Sequence, residues 1–244
     1  MSERKYYHED SPWIKMPQLD WSPLTADRST THYDRGHIFY DQQEYCDNVF
    51  VIKRGRVAMC LCTPEGNLRI TMVLDKGCIF GNQSILDGNP NSCQAEVVSD
   101  NAEIFVLSKQ EVKEKLHQDP RLAYNMLLQS NRINRMLITQ VELMSFRHSE
   151  DRVCFYLLHL ADQYSEEKNG KKEMYLRYTH QDIAEITGLS RVCVSNIISG
   201  LVKDSILTKK DGMYSVVQMD KLQGKINISG IGDEYYKSVT PLTV

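Results

Sequence analysis

The chain has 244 residues, with 29 Lys+Arg against 32 Asp+Glu and a formal net charge of -3. That length suits one large domain or two modest ones. The charge balance excludes a global positive field as the route to nucleic acid. From Phe146 through Gly224, 11 basic residues meet 11 acidic ones, so any attraction to phosphate rests on local placement.

Residues 1–30 read as a polar, loop-rich N-terminal extension punctuated by Pro12, Pro17 and Pro23. Trp13 and Trp21 are candidates to dock, at positions the pattern leaves unassigned. Residues 31–118 are a run of short strands, Val49–Ile52, Val57–Cys62, Leu68–Leu74 and Glu103–Leu107. They are broken by turn signals such as Lys53-Arg54-Gly55, Pro64-Glu65-Gly66-Asn67 and Asp87-Gly88-Asn89-Pro90. β-rich segments at that spacing predict an antiparallel sandwich or roll closed on itself.

Lys109–His117 predicts a short helix, and Pro120 opens a long one to about Phe146, the 119–146 segment. Along it Leu122, Met126, Gln129, Ile133, Met136, Gln140 and Leu143 advance by 4, 3, 4, 3, 4 and 3. That heptad spacing predicts a seam against a twin helix, the alternative being burial against the helix's own domain. Gln129 and Gln140 interrupt the apolar stripe and would fix register at a cost in stability.

Residues 147–224 carry the chemistry. A helix over VCFYLLHLADQY is followed by a polar linker with its turn at Lys168-Asn169-Gly170-Lys171, and then by Tyr178–Ser205. Thr179 with Asp182 three residues on forms a capping pattern for a short helix, Gly188 supplies the turn, and Ser190 can cap a second helix. Leu189, Val194 and Ile197 fall at the spacing that buries the second helix on the first, which is a helix-turn-helix. Ile206–Val217 predicts two strands around Asp211-Gly212, a wing that places Lys209 and Lys210 near a phosphate backbone. Residues 225–244 form an uninformative tail.

The seven cysteines are odd in number and irregular in spacing, and no secretory signal or long apolar run appears. A reducing cytoplasm and no membrane association follow as expectations. Cys60 and Cys62 alternate on one strand face and read as small buried hydrophobes. Without paired CxxC motifs no zinc site is expected.

The order of these parts resembles the CRP/FNR regulators, an α+β arrangement of β-roll, long dimerisation helix and C-terminal winged helix-turn-helix. The resemblance runs from His32 to Val217. It is carried by Gly36, Val49–Met59, Phe80-Gly81, the Asp87-Gly88 turn with Ser92, and Ile186–Ile198. It implies a homodimer that reads an inverted repeat in double-stranded DNA. It also implies a small molecule or prosthetic group in the roll that repositions the recognition helices, and activation of transcription through RNA polymerase. Cyclic-nucleotide members place a glutamate directly after the Phe-Gly pair and an arginine just before the serine. This chain has Asn82 and Asn91 there, so a cyclic phosphate would lack its charge-assisted partner and cyclic AMP is not expected.

The first cysteine is Cys46, so an N-terminal iron–sulfur cluster is not expected either. Haem is an alternative, with His32, His37 and His117 available. The loop pattern is most similar to the chlorophenol-responsive regulators of halorespiration. That likeness implies a small organic effector, anionic or aromatic, held by Gly81, Asn82, Gln83, Ser84, Asn91 and Ser92, with Arg132 or Arg135 reaching in from the long helix.

For DNA, the expected contacts are Thr179, His180, Ser190, Arg191, Val192, Ser195, Asn196, Lys209 and Lys210. Val192 and Asn196 stand where the family commonly shows glutamate and arginine. Valine meets only a thymine methyl and asparagine prefers adenine, so half-sites rich in A and T are predicted. Two rival readings stand beside this one. A cupin-type metalloenzyme needs clustered histidines, and these seven are scattered. A thiol switch would use Cys154 or Cys193, the latter in the first turn of its helix. Neither displaces the regulator reading, which implies no enzymatic activity.

Overall fold

The computed structural model describes residues 11–168, 171–174, 178–210 and 213–226. The chain divides into two compact units, one through Gln140 and one from Val141 onward.

The first unit contains β1 (Trp13–Ile14), α1 (Ser22–Thr25), β2 (Thr31–Asp34), β3 (Ile38–Tyr40), β4 (Asn48–Arg54), β5 (Val57–Cys62), β6 (Leu68–Leu74) and β7 (Ile79–Phe80). It continues with α2 (Gln83–Asp87), β8 (Gln94–Val97), β9 (Asn101–Ser108), α3 (Lys109–Gln118) and α4 (Pro120–Phe146), whose last turn passes the division. Two sheets form the roll, in the orders β1-β6-β5-β8-β3 and β2-β9-β4-β7. The strongest pairing sets β4 against β9, antiparallel from Asn48↔Ser108 to Ile52↔Ile104, with a bulge between Ile52 and Arg54. Val49 through Ile52 are all buried because this strand is covered on both faces, which explains an apolar run in place of alternation. Phe39, Phe50 and Phe80 meet inside the roll, Phe50 stacking on Phe80 at 4.8 Å between centroids.

The N-terminal stretch is built into the roll. β1 pairs in parallel with β6, Trp13 opposite Val73 and Ile14 opposite Leu74. Trp21 buries its indole and donates its Nε1–H to the Gly77 carbonyl at 2.8 Å. Gly77 has φ 83°, and a Cβ there would run into the Met16 carbonyl, so only glycine lets the segment lie this close. Two large aromatic side chains thus bury area that the roll's edge would otherwise expose. The same segment reaches α4, where Asn125 Nδ2 donates to the Asp20 carbonyl at 2.8 Å.

The long helix corrects the expected dimer seam. Leu122, Met126 and Met136 belong to the roll's own core, and Ile133 packs against it half-buried. Gln129 is buried, its Nε2 donating to the Ile79 carbonyl and its Oε1 accepting from the Ile79 N–H at 2.8 Å. Gln140 donates to the Thr71 carbonyl, and Leu143 is buried as well. The stripe that looked like a twin-helix interface is therefore filled within the chain, and its glutamines serve roll backbone groups. The reason is that β7 lies at the edge of its sheet. Ile79 there needs partners for its N–H and C=O, and a glutamine is long enough to satisfy both. The opposite face leaves Tyr124, Leu127, Ile138 and Val141 exposed, Ile138 at 68%.

The second unit holds α5 (Ser149–Gln163), β10 (Ser165–Lys168), β11 (Lys171–Met174), α6 (His180–Thr187), α7 (Arg191–Lys203), β12 (Leu207–Lys210), β13 (Met213–Val216) and α8 (Met219–Gly224). The strands form one antiparallel sheet, β10-β11-β13-β12. The polar linker is therefore a hairpin that extends the wing's sheet. Its expected turn at Asn169-Gly170, the Asp211-Gly212 turn and the tail beyond Ile226 lie outside the described residues. Every residue of α5 from Val153 to Ala161 is buried, and the helix forms this unit's core against α6, α7 and α8. Among the described residues no helix is long and apolar enough to cross a membrane.

Candidate DNA-binding face and effector loop

Each end of α6 and the start of α7 is set by local chemistry. Thr179 Oγ1 accepts from the Asp182 N–H at 3.1 Å, and the Asp182 carboxylate accepts from the Thr179 N–H at 2.7 Å, a complete capping box. Gly188 closes α6 at φ 68°, left-handed, with its N–H on the Ala184 carbonyl. Ser190 Oγ then accepts from the Cys193 N–H at 3.2 Å and starts α7. Ile183, Ala184 and Ile186 on α6 and Val194, Ile198 and Leu201 on α7 are buried. Leu189 and Ile197 are only half-buried, so Ile198, with Leu201, does the packing expected of Ile197.

With that face buried, α7 turns two adjacent rows outward. Arg191, Ser195 and Ser199 form one row, Ser195 half-buried, and Val192 and Asn196 form the other, Val192 at 70% exposure. Ser199 was not foreseen; its hydroxyl donates to the Ser195 carbonyl at 2.7 Å. Lys209 and Lys210 are exposed on β12. Tyr214 on β13, also unforeseen, ties the parts together. His180 Nε2 lies 2.7 Å from its hydroxyl, the two rings stack at 6.3 Å, and Lys209 Nζ sits 5.0 Å over the tyrosine ring. The His180 pKa is held below its ordinary value, first by burial and then by the positive charges of Lys209 and Arg191. Those three cationic or potentially cationic groups therefore converge at one place, although the unit as a whole is charge-balanced.

In the roll, the residues named for an effector fall on one loop. Gln83 Oε1 accepts from Ser92 Oγ at 3.1 Å and from the Ser92 N–H at 3.4 Å. Asn91 is buried and donates both its N–H and its Nδ2 to the Glu44 carbonyl, at 2.9 and 3.2 Å. Ser84 is buried on α2, and Asn82 precedes that helix without making a side-chain cap. Burial pushes the Tyr40 phenol far above its usual range, an effect the Gly81 backbone only partly offsets. Tyr40 and Glu44 were missed, for nothing in their spacing marks them. Arg132 donates to the Ser11 carbonyl at 3.2 Å and lies close enough to Cys78 to favour its thiolate. That places its guanidinium at the N-terminal segment, and Arg135 is exposed.

The three histidines considered for haem stand on separate elements. His32 is exposed on β2, His37 packs between Tyr33 and Phe39, and His117 ends α3 with Nδ1 at 2.7 Å from the Lys113 carbonyl. None of the seven cysteines forms a disulfide. Cys154 is buried and its thiol is pushed up to about 12, which makes it a poor nucleophile, while Cys193 is half-buried.

A sensor-like β-roll followed by a winged helix-turn-helix defines a class of DNA-binding regulator, and the comparisons agree. Residues 30–119 match the cyclic nucleotide-binding domain, and residues 151–224 match the Crp-like helix-turn-helix domain. The Cyclic AMP receptor protein of Thermus thermophilus is 24% identical over 75% of this chain and 82% of its own length. Among solved structures, FixK2 from Bradyrhizobium japonicum superposes with a TM-score of 0.71 at 18% identity, over 83% of this chain and 98% of that one. OCPA-complexed CprK gives 0.62 at 16% identity, over 79% and 88%. The chain belongs to the CRP/FNR family of transcription regulators, a family that is not enzymatic.

Proposed function

We propose that this regulator acts as a homodimer on an inverted-repeat operator and is switched by a small molecule in the roll other than cyclic AMP. The observation that carries the reading is the outward pair of rows on α7, Arg191, Val192, Ser195 and Asn196, beside the converging His180 and Lys209. Thr179, Ser190 and the N-termini of α6 and α7 position the phosphate backbone. His180, Lys209 and Lys210 add charge, and Val192 and Asn196 read thymine methyl and adenine edges. Two such heads, presented by a dimer, span half-sites about 34 Å apart.

The twin helices meet along the exposed row of Tyr124, Leu127, Ile138 and Val141, since the opposite row is filled by the roll. The effector favours the DNA-competent dimer by the difference of its affinities for the two states. Activation of transcription through contact with RNA polymerase is proposed from the family resemblance, whose relatives include cAMP-activated global transcriptional regulators. The proposed effector differs from theirs because Asn82 and Asn91 supply neither a carboxylate nor a guanidinium.

The test is selection of binding sites from random DNA with the full chain. The expected product is an A/T-rich palindrome with half-sites about 10 base pairs apart. G/C-rich half-sites would overturn the assignment of Val192 and Asn196, and single half-sites would overturn the dimer.

A further inference from the structure

We infer that the Gly81–Ser92 loop takes a small molecule that presents a hydrogen-bond donor and carries no negative charge. The inference rests on the effector reading above and narrows its ligand class away from the anion that the resemblance suggested. It follows from counting which groups of the loop are used. An anion needs donors, and the backbone and side-chain donors of Asn91 and Ser92 are occupied. The Asn91 N–H and Nδ2 are both on the Glu44 carbonyl. The Ser92 N–H and hydroxyl are both on Gln83 Oε1.

One group left over can only accept. Asn91 Oδ1 is buried with no hydrogen-bond partner, and so is the Ser84 hydroxyl, able to accept or to donate, seven residues earlier on the same loop. Which end of the Asn91 amide is which is not arbitrary. A carbonyl can only accept, so the group facing the Glu44 carbonyl must be the NH2, and the oxygen points the other way. Buried acceptors without partners are rare enough in folded proteins to mark a place where a partner arrives.

The charges agree. Between Lys76 and Lys109 the chain carries Asp87, Glu96, Asp100 and Glu103 and no Lys or Arg. The segment that holds the Asn91 partner Glu44, between Arg35 and Lys53, carries Asp41, Glu44 and Asp47 and again no Lys or Arg. An anion entering here would meet no Lys or Arg side chain from either segment. An amine, amide or hydroxyl donor would satisfy Asn91 Oδ1 and Ser84 Oγ.

Matched pairs that differ in charge test this on the full-length protein: adenosine against cyclic AMP, tyramine against 4-hydroxyphenylacetate, and ethanolamine against glycolate, each to about 10 mM, near the weak end of the affinity scale. The readout is the nuclear magnetic resonance signal of the Asn91 side-chain amide and the Ser84 backbone amide. In at least one pair the uncharged or cationic member is expected to shift both signals saturably, at tenfold lower concentration than its anionic twin. Ser84→Ala should weaken that response several-fold while leaving the other amide signals in place. Equal or stronger shifts from the anions would overturn the inference, as would no shift from any probe. Operator binding, measured on the same sample, separates this from the broader reading. If selected duplexes still bind, only the ligand class has failed; if none binds, the regulator mechanism has failed.

Discussion

Two rows run along α4, and they have the same rhythm. Leu122, Met126, Gln129, Ile133, Met136 and Gln140 face the roll, while Tyr124, Leu127, Asn131, Asn134, Ile138 and Val141 face away, and each row includes two side-chain amides. The difference lies in what those amides do. Gln129 closes on both the N–H and the C=O of Ile79, as a neighbouring strand would, and Gln140 holds the Thr71 carbonyl. Asn131 and Asn134 are exposed, and Leu127 and Ile138 beside them are 61% and 68% exposed. Heptad spacing thus reports that a row exists and not which neighbour it meets. The length of the polar residue is the better guide, because only glutamine reaches across to a strand backbone.

The sharpest way to break this comparison is to charge one row at a time. Ile138→Arg places a cation in the middle of the outward row. It should leave the chain folded but monomeric by light scattering, and operator affinity should fall roughly 10²–10⁴-fold as bivalent binding is lost. A dimeric Ile138→Arg variant would show that this row is not the interface. On the inward row the expected outcome is reversed. Gln129→Leu keeps the side chain's bulk but leaves the Ile79 N–H and C=O buried without partners. Stability should drop by about 1–3 kcal/mol for each group left unpaired. Denaturant unfolding measures the loss, and the dimer should persist at concentrations where the variant is folded.

How much of this was legible depended on whether the signal was local. The capping box at Thr179 and Asp182, the Gly188 turn and the Ser190 cap each act within four residues, and all three stand as read. The strands around Val49, Val57, Leu68 and Glu103 were equally plain, because β-branched runs and glycine turns are local too. The inward row of α4 could not be resolved the same way, since its partner Ile79 lies 50 residues away. Docking of Trp13 opposite Val73 and of Trp21 on Gly77, 56 residues from Trp21, was hidden for the same reason. The pairing of β11 with β13 was hidden because Lys171–Met174 has neither β-branched residues nor alternation. The residues expected to hold an effector gather on one stretch, Gly81–Ser92, whereas Arg132, placed by analogy, donates to the Ser11 carbonyl.

On the DNA-reading head the comparison is between the two outward rows of α7. Asn196→Ala removes a candidate adenine contact, and operator affinity should fall by about 1–3 kcal/mol with preference relaxed at one base pair of each half-site. Lys209→Ala should instead weaken all duplexes alike and lower the salt dependence by roughly one unit of slope. If Asn196→Ala also weakens every sequence equally, that residue touches phosphate and the reading row has been drawn on the wrong side of the helix.

The smallest expected effect is also the one whose sign separates two roles of a single residue. His180 is held below its ordinary pKa by burial, Lys209 and Arg191, so the folded unit binds fewer protons there than the unfolded chain. Stability then rises with pH across that range: its contribution is complete above the unfolded value of about 6.5 and is lost as pH falls through that value toward the lower folded one. A phosphate placed beside the imidazole has the opposite preference, because its negative charge favours the protonated ring. Lowering pH from about 7.5 to 5.5 should therefore weaken the free protein against denaturant while strengthening operator binding at constant ionic strength. His180→Gln should flatten both trends. If operator affinity in the wild type follows stability downward, His180 does not face a phosphate, and its bond to Tyr214 serves only to hold the wing against α6.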